Sequence, residues 1–224
     1  MGTGLVKLSG DLQGDLQGPR TGADRAVLLA HGAGADRNAP ALVAVADALA
    51  EAGIPSLRFD YPYRSAGKRA PDRAPVLDAA TRAAAAELAR RTGLPPERLV
   101  LGGRSMGGRY CSLVVGAPDD PVPALGLLLL GYPLHAMGKP DQRRDDHFKR
   151  LHCPVLFVSG TRDSLAPRPV LTRSARKVKG PVTLHWLDTA DHGFRPLKRS
   201  GQSVETVLSD AAETCVTWVG ALTN

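Results

Sequence analysis

Cysteine is scarce in this chain, with three in 224 residues, at Cys111, Cys153 and Cys215. The number is odd and no spacing suits a metal, so neither a disulfide framework nor a thiolate metal site is expected. Cys111 and Cys215 fall in apolar helical patterns and Cys153 just before a strand pattern. They read as buried thiols in a reducing compartment. Aromatic residues are also sparse, at 4%, which leaves few stacking platforms for nucleic-acid bases. No stretch approaches the ~18 apolar residues of a membrane span. Residues 1–22 hold no apolar core of a secretory leader, so the cytoplasm is the expected location. No phosphate-binding loop with its lysine and no Cys/His cluster occurs, so no metal and no organic cofactor is expected.

Acidic residues are outnumbered, 22 against 29 basic, which gives a formal net charge of +7 and a pI near 9.7. The basic residues are mostly scattered arginines, with local clusters at residues 64–73, 143–150 and 168–179. Solvated faces are the simpler account of these clusters, and attraction of an anionic substrate is the sharper one. Neither nucleic acid nor membrane is an expected partner.

What is present is an ordinary globular composition, 43% hydrophobic and 23% charged. The length suits one domain with a sizeable core. Residues 23–224 are read as that domain and residues 1–22 as an arm or edge hairpin. Within the arm, residues 5–8 suit a short edge strand. Gly-Asp-Leu-Gln then occurs twice in succession from Gly10, which reads as a polar hairpin or loose arm rather than a repeat architecture.

From there short apolar runs alternate with helical patterns. Strands are predicted at residues 25–30, 54–60, 124–130, 154–159 and 182–187, with one more beginning at Leu99. Helices are predicted at 40–52, 76–91, 106–116, 167–178 and 203–222. Residues 135–150 are polar with little periodicity and read as a small lid or loop. Strands apolar throughout and separated by helices imply an α/β fold: a mostly parallel central sheet with helices on both faces. In such sheets chemistry sits beyond the carboxyl ends of the strands. His31, Asp60, Ser105, Tyr132 and Asp163 fall there, and His192 one loop later.

Gly103-Arg104-Ser105-Met106-Gly107 matches the G-x-S-x-G nucleophile elbow. With 24 glycines and 11 serines, the pattern arises by chance in roughly one such chain in eight. It therefore needs its context: a buried strand before it, a helix after it, and an acid and a base downstream. A serine hydroxyl is a poor nucleophile until a base contacts it and an acid orients that base. Asp163 and then His192 follow Ser105, each closing a loop after a predicted strand. Asp163 also suits a helix cap, and His192 also suits a surface loop. His31 is a second candidate base, although its glycine-rich turn, His31-Gly32-Ala33-Gly34, suits positioning of an oxyanion loop better. Asp188 and Asp191 are alternative acids, but they sit too near His192 in sequence to reach its far ring nitrogen easily. Asp60 is expected to partner an arginine or the backbone.

These segments, with Arg58-Phe59-Asp60-Tyr61-Pro62-Tyr63, Pro71-Asp72-Arg73-Ala74-Pro75, Gly102-Gly103-Arg104-Ser105-Met106-Gly107-Gly108-Arg109, Gly160-Thr161-Arg162-Asp163 and Asp191-His192-Gly193-Phe194, together resemble the α/β-hydrolase superfamily. More narrowly they resemble a small-hydrolase group close to the dienelactone hydrolases. That group is also similar to a testis-expressed family and to a subunit of a histone-acetyltransferase complex. The resemblance covers the chain from about Arg25 onward. It departs from dienelactone hydrolases proper in carrying serine where they carry cysteine, and it lacks the long helical cap of many lipases. It implies a Ser105–His192–Asp163 triad, with the backbone N–H groups of Met106 and Ala33 as the oxyanion hole.

The expected function is cleavage of a carboxylic ester or thioester through an acyl-enzyme. His31, Gly32, Arg104, Tyr61 and Tyr132 are the expected substrate contacts. Arg64, Lys68, Arg104 and Arg109 would favour an acidic acyl or leaving group. A monomer or small homo-oligomer is expected. The rival from another class is a non-catalytic interaction module on the same scaffold.

Overall fold

The computed structural model of the protein describes residues 4–7, 12–19 and 21–223. Among the described residues eight strands form one sheet: β1 (Gly4–Lys7), β2 (Gln13–Gln17), β3 (Ala26–Ala30), β4 (Ser56–Phe59), β5 (Leu99–Arg104), β6 (Gly126–Leu130), β7 (Val155–Gly160) and β8 (Val182–Leu187). The described residues also form α1 (Pro40–Glu51), α2 (Pro62–Ser65), α3 (Ala74–Thr92), α4 (Met106–Val115), α5 (Arg168–Ala175) and α6 (Val204–Ala221). The strand order is β1-β2-β4-β3-β5-β6-β7-β8. The pairs from β4 onward are parallel, and β2 joins them antiparallel to β4. This is the mostly parallel, two-sided α/β sheet that the alternating pattern predicts.

Side-chain alternation divides each central strand between two cores. Leu28 and Ala30, Leu99 and Leu101, Leu127 and Leu129, and Val155 and Phe157 pack on the face that receives α3, α4 and α5. Val27 and Leu29, Val100, Leu128 and Leu130, and Leu156 and Val158 pack on the opposite face, against α1 and α6. A strand buried on both sides reads as an unbroken apolar run, which is why these strands were visible in the sequence.

The duplicated Gly-Asp-Leu-Gln segment enters an antiparallel pair, β1 with β2, at the edge of the sheet. Its second copy lies within β2, paired with β4 from Gly14↔Phe59 to Gln17↔Ser56. A four-residue period puts repeated leucines on one face of an extended chain, and Leu12 and Leu16 both enter the same core. Asp15 meets Arg37 and Arg58. Arg37 also pairs with Asp60, so Asp60 has the arginine partner expected of it. Leu8, Gly10 and Asp11 lie outside the described residues. No described helix is long and apolar enough to cross a membrane. The three cysteines are free, and burial pushes the Cys153 thiol up to about 11.

The polar stretch after β6 is anchored at its far end. A single 3-10 turn, Asp146–Arg150, packs beside α4 with Phe148 wholly buried. His147 Nε2 lies 2.8 Å from Ser112 Oγ. That hydroxyl donates to the Arg109 carbonyl, so neutral His147 is the donor here. Burial, with Arg109 and Arg150 nearby, pushes His147 down to about 4. An unfolded histidine titrates near 6.5, so between these values the unfolded chain binds more protons. Stability therefore falls as pH drops through this window, by about 3 kcal/mol from His147 alone once pH 4 is passed. Urea midpoints measured from pH 7 to pH 4 should fall less steeply for His147→Gln, whose amide still donates to Ser112. Identical slopes would remove His147 as a cause.

Candidate active site

Strand β5 delivers its last residues to the carboxyl edge of the sheet, and the chain reverses at Ser105 into α4. Ser105 has φ 51° and ψ −113°, a strained setting for a residue with a side chain. The surroundings hold it there. Its N–H donates to the Leu130 carbonyl of β6 at 2.9 Å, and its own carbonyl accepts from Arg109 N–H at 3.0 Å.

Ser105 Oγ is 3.0 Å from His192 Nε2. His192 Nδ1 is 2.8 Å from Asp163 Oδ2. The other carboxylate oxygen of Asp163 accepts from Leu165 N–H at 2.8 Å. The Asp163 carboxylate is wholly buried, whereas 26% of the His192 ring remains exposed. The three side chains singled out in the sequence are thus joined in one hydrogen-bonded chain. Asp163 also closes its own turn through Leu165 N–H but caps no helix, since α5 begins after Pro167.

The two loops that carry acid and base are sewn together. Arg162 N–H donates to the Ala190 carbonyl and Thr161 N–H to that of Leu187. Thr189 N–H donates to Thr161 Oγ1. Asp191 shapes the histidine loop by accepting from Gly193 N–H at 2.7 Å and Arg195 N–H at 3.0 Å, a side-chain-closed turn. It is a turn former, not the acid behind His192. Phe194, at φ 61° and wholly buried, lies under the Arg104 guanidinium, 4.6 Å from ring centroid to carbon. Burial pushes Arg104 down to about 10, so it is charged at neutral pH.

The second loop of the site follows β3. His31 is wholly buried. Its Nε2 accepts from Tyr61 N–H at 3.1 Å, so the ring proton sits on Nδ1 and faces the Gly32 carbonyl at 2.8 Å. Burial pushes its pKa down, which keeps it neutral. Ala35 N–H donates to the same Gly32 carbonyl. A peptide is planar and trans, so pinning Gly32 C=O on one side turns Ala33 N–H to the other. Tyr63 OH then holds the next carbonyl, that of Ala33, at 2.9 Å. A Cβ on Gly32 would stand 3.6 Å from that of Ser105, so this turn abuts the serine.

Several expected substrate contacts are corrected by this geometry. His31, Tyr61 and Tyr132 are enclosed, at 0%, 0% and 1% exposure. Tyr61 OH meets Thr81 at 3.0 Å, and Tyr132 OH donates to the Arg144 carbonyl at 2.6 Å. Large polar aromatics at strand ends found partners inside the core instead of lining an opening. The Arg104 guanidinium lies over Phe194, and the Gly32 turn abuts the serine. Tyr63 went unassigned in the sequence; its only signal was its place after β4, opposite the glycine-rich turn. Among the described residues no group of three or more His, Cys, Asp or Glu side chains is placed to hold a metal.

A two-sided parallel sheet with a serine on a strained strand–helix turn, backed by histidine and aspartate, defines the α/β-hydrolase class of folds. The family model described as "Alpha/beta hydrolase domain" matches residues 23–220, and the chain belongs to that family. Among solved structures it is similar to a dienelactone hydrolase from Anabaena variabilis, with 20% identity over 100% of this chain and 98% of that one (TM-score 0.72). It is similar to an α/β serine hydrolase homologue from Coxiella burnetii, with 16% identity over 96% of each chain (TM-score 0.72). It also resembles the esterase domain of a Rhodothermus marinus protein, with 19% identity over 97% and 98% (TM-score 0.71).

Proposed function

We propose that the protein is a serine hydrolase that cleaves carboxylic esters or thioesters through an acyl-enzyme. The observation that carries this reading is the unbroken chain from Ser105 Oγ through His192 to Asp163. In it, Asp163 accepts the Nδ1 proton of His192 and leaves Nε2 as the base. Ser105 loses its proton to Nε2 as Oγ attacks the carbonyl, and the same proton passes to the departing alkoxide or thiolate. Water, activated by His192, then releases the acid and regenerates Ser105.

The carbonyl oxygen gains charge in both steps. Met106 N–H, first in α4, has no carbonyl of its own helix to bond. Ala33 N–H is turned by the clamp on Gly32. Together they serve as the oxyanion donors, each worth about 3–4 kcal/mol of barrier. A reducing, cytoplasmic setting suits the three free thiols.

The test is reaction with a fluorophosphonate, followed by peptide mapping, beside a series of p-nitrophenyl esters of rising chain length. An adduct on Ser105 and turnover of at least one ester are expected. No adduct and no turnover from folded protein would overturn the reading. Tyr63→Phe is a milder probe of the oxyanion loop. It should lower kcat about 3- to 10-fold with KM little changed, because loosening a donor weakens the transition state more than the bound ester. A change in KM alone would place Tyr63 elsewhere.

A further inference from the structure

Arg104 stands one residue before the nucleophile, where the sequence offers it as a substrate contact, and its surroundings give it a different task. Its guanidinium carbon lies 4.6 Å from the Phe194 ring centroid. Its Nη1 faces the Leu130 carbonyl at 3.5 Å, the carbonyl that accepts from Ser105 N–H at 2.9 Å. Gly131 follows with φ 56°. A Cβ there would stand 2.6 Å from Arg104 Nη1, 3.2 Å from its Cζ and 3.5 Å from Cε1 of Phe194. Guanidinium, ring edge and Gly131 backbone therefore meet around one spot, and the side chain that Gly131 lacks is the room they use. Among the described residues no carboxylate is within ion-pair reach of Arg104. What holds the guanidinium is a ring face and backbone of the chain itself.

Phe194 is the inward anchor of the turn that carries the base. Asp191 N–H donates to the Arg195 carbonyl and Phe194 N–H to that of Asp191, each at 3.0 Å, so residues 191–195 form one closed turn. His192 keeps 26% of its ring exposed, whereas Phe194 is wholly buried. The contact from Ser105 to His192 is one link between the elbow and this turn. Arg104 over Phe194 is a second, made one residue before the serine and two after the histidine. A guanidinium over an aromatic face is attracted by the ring's π-charge, more strongly out of water. The Leu130–Gly131 peptide ties the same spot to the acid. Its carbonyl takes Ser105 N–H, and its N–H donates at 2.7 Å to Val158 of β7, the strand that leads to Asp163.

Resting on the hydrolase reading for the reaction itself, we propose that Arg104 is a positioning residue: lying over Phe194, it fixes the placement of His192 against Ser105. It does not touch the ester. A misplacement of about 1 Å costs about 10²-fold in rate, so this contact acts on kcat and leaves ester binding alone.

The test is steady-state turnover of a responsive p-nitrophenyl ester by Arg104→Met, which keeps an unbranched apolar stem and loses the cation. Its kcat should fall about 10- to 30-fold, with KM within about twofold of wild type. Arg104→Lys, again a cation over the ring, should recover part of the loss. Phe194→Leu should resemble Arg104→Met. The double variant should be no slower than the slower single one, because both substitutions remove the same contact. Arg173→Ala, an exposed position on α5, should match wild type. Urea midpoints taken alongside restrict the comparison to folded protein, and Arg104→Lys and Phe194→Leu carry it if Arg104→Met does not fold. Wild-type kcat in the Arg104 variants, losses that multiply in the double variant, or a raised KM with unchanged kcat would each overturn the proposal.

Ring NMR of isotope-labelled histidine separates the two readings, because it needs no substrate. The Nδ1–H resonance of His192, identified by its loss in His192→Ala, reports the 2.8 Å contact with Asp163. It should shift or broaden in Arg104→Met and in Phe194→Leu and stay in place in Arg173→Ala. That response in a protein with no ester turnover and no fluorophosphonate adduct would leave the positioning role standing and remove the hydrolase reading. Turnover with both rate and resonance unaltered in Arg104→Met would do the reverse, and absence of both removes both.

Discussion

Ser105→Ala should lower kcat/KM for a responsive p-nitrophenyl ester by about 10⁴- to 10⁶-fold, and His192→Ala by nearly as much. The double variant should be scarcely worse than either single one. The hydroxyl and imidazole act as a unit across one 3.0 Å contact, so losing either removes the activated nucleophile. Asp163→Asn should cost about 10⁴-fold while leaving the fold intact. Its two carboxylate oxygens accept from His192 Nδ1 and from Leu165 N–H. An amide must present its NH₂ to one of these donors. Facing His192, it forces the ring proton onto Nε2 and deprives Ser105 of its base. Steady-state rates together with fluorophosphonate labelling check all four variants. Ser105→Ala turning over at a tenth of the wild-type rate would sink the assignment.

Gly107→Ala should destabilise the protein by about 3–5 kcal/mol, the size reserved for severe overpacking. The ordinary expectation has the opposite sign, since Gly to Ala in a helix gains up to about 1 kcal/mol. A Cβ on Gly107 would lie 2.1 Å from the Ala30 carbonyl oxygen, 2.4 Å from its carbon and 2.7 Å from the His31 oxygen. All are backbone atoms at the end of β3, and none can rotate away. Gly103→Ala meets the same oxygen at 2.1 Å and should fail for the same reason. Gly220, near the end of α6, has nothing within 4 Å of its Cβ position. Gly220→Ala should therefore be neutral or slightly stabilising. Urea unfolding of the three variants checks the contrast, and a Gly107→Ala protein as stable as wild type would refute the steric account. The two elbow glycines thus let α4 approach β3 closely enough for Ser105 to stand beside the Gly32 turn.

The arrangement of the sheet was legible wherever burial on both faces turned a strand into an apolar run, as in β3, β6 and β7. It was not legible where a strand is amphipathic and short. β2 carries Asp15 and Gln17 and reads only as part of a polar hairpin or loose arm, because its leucines are spaced for a sheet face that its pairing with β4 supplies. The serine, aspartate and histidine could be ordered along the chain because each closes a loop after a strand. The enclosure of Tyr61 and Tyr132 gave no local signal, since their hydroxyls are satisfied by Thr81 and by the Arg144 carbonyl, far away in sequence.

Residue order alone settled most of the central strands and the long helices, and placed the candidate nucleophile, acid and base each on a turn or loop after a strand. Those choices depend on neighbours within a few positions: apolar spacing, glycines at a reversal, a proline at a helix start. Only the assembled sheet decided that His31 is a neutral clamp on Tyr61 N–H and that Tyr63 OH holds the Ala33 carbonyl. These outcomes depend on strand register and burial, which bring together groups 30 or more residues apart and leave no trace in local spacing.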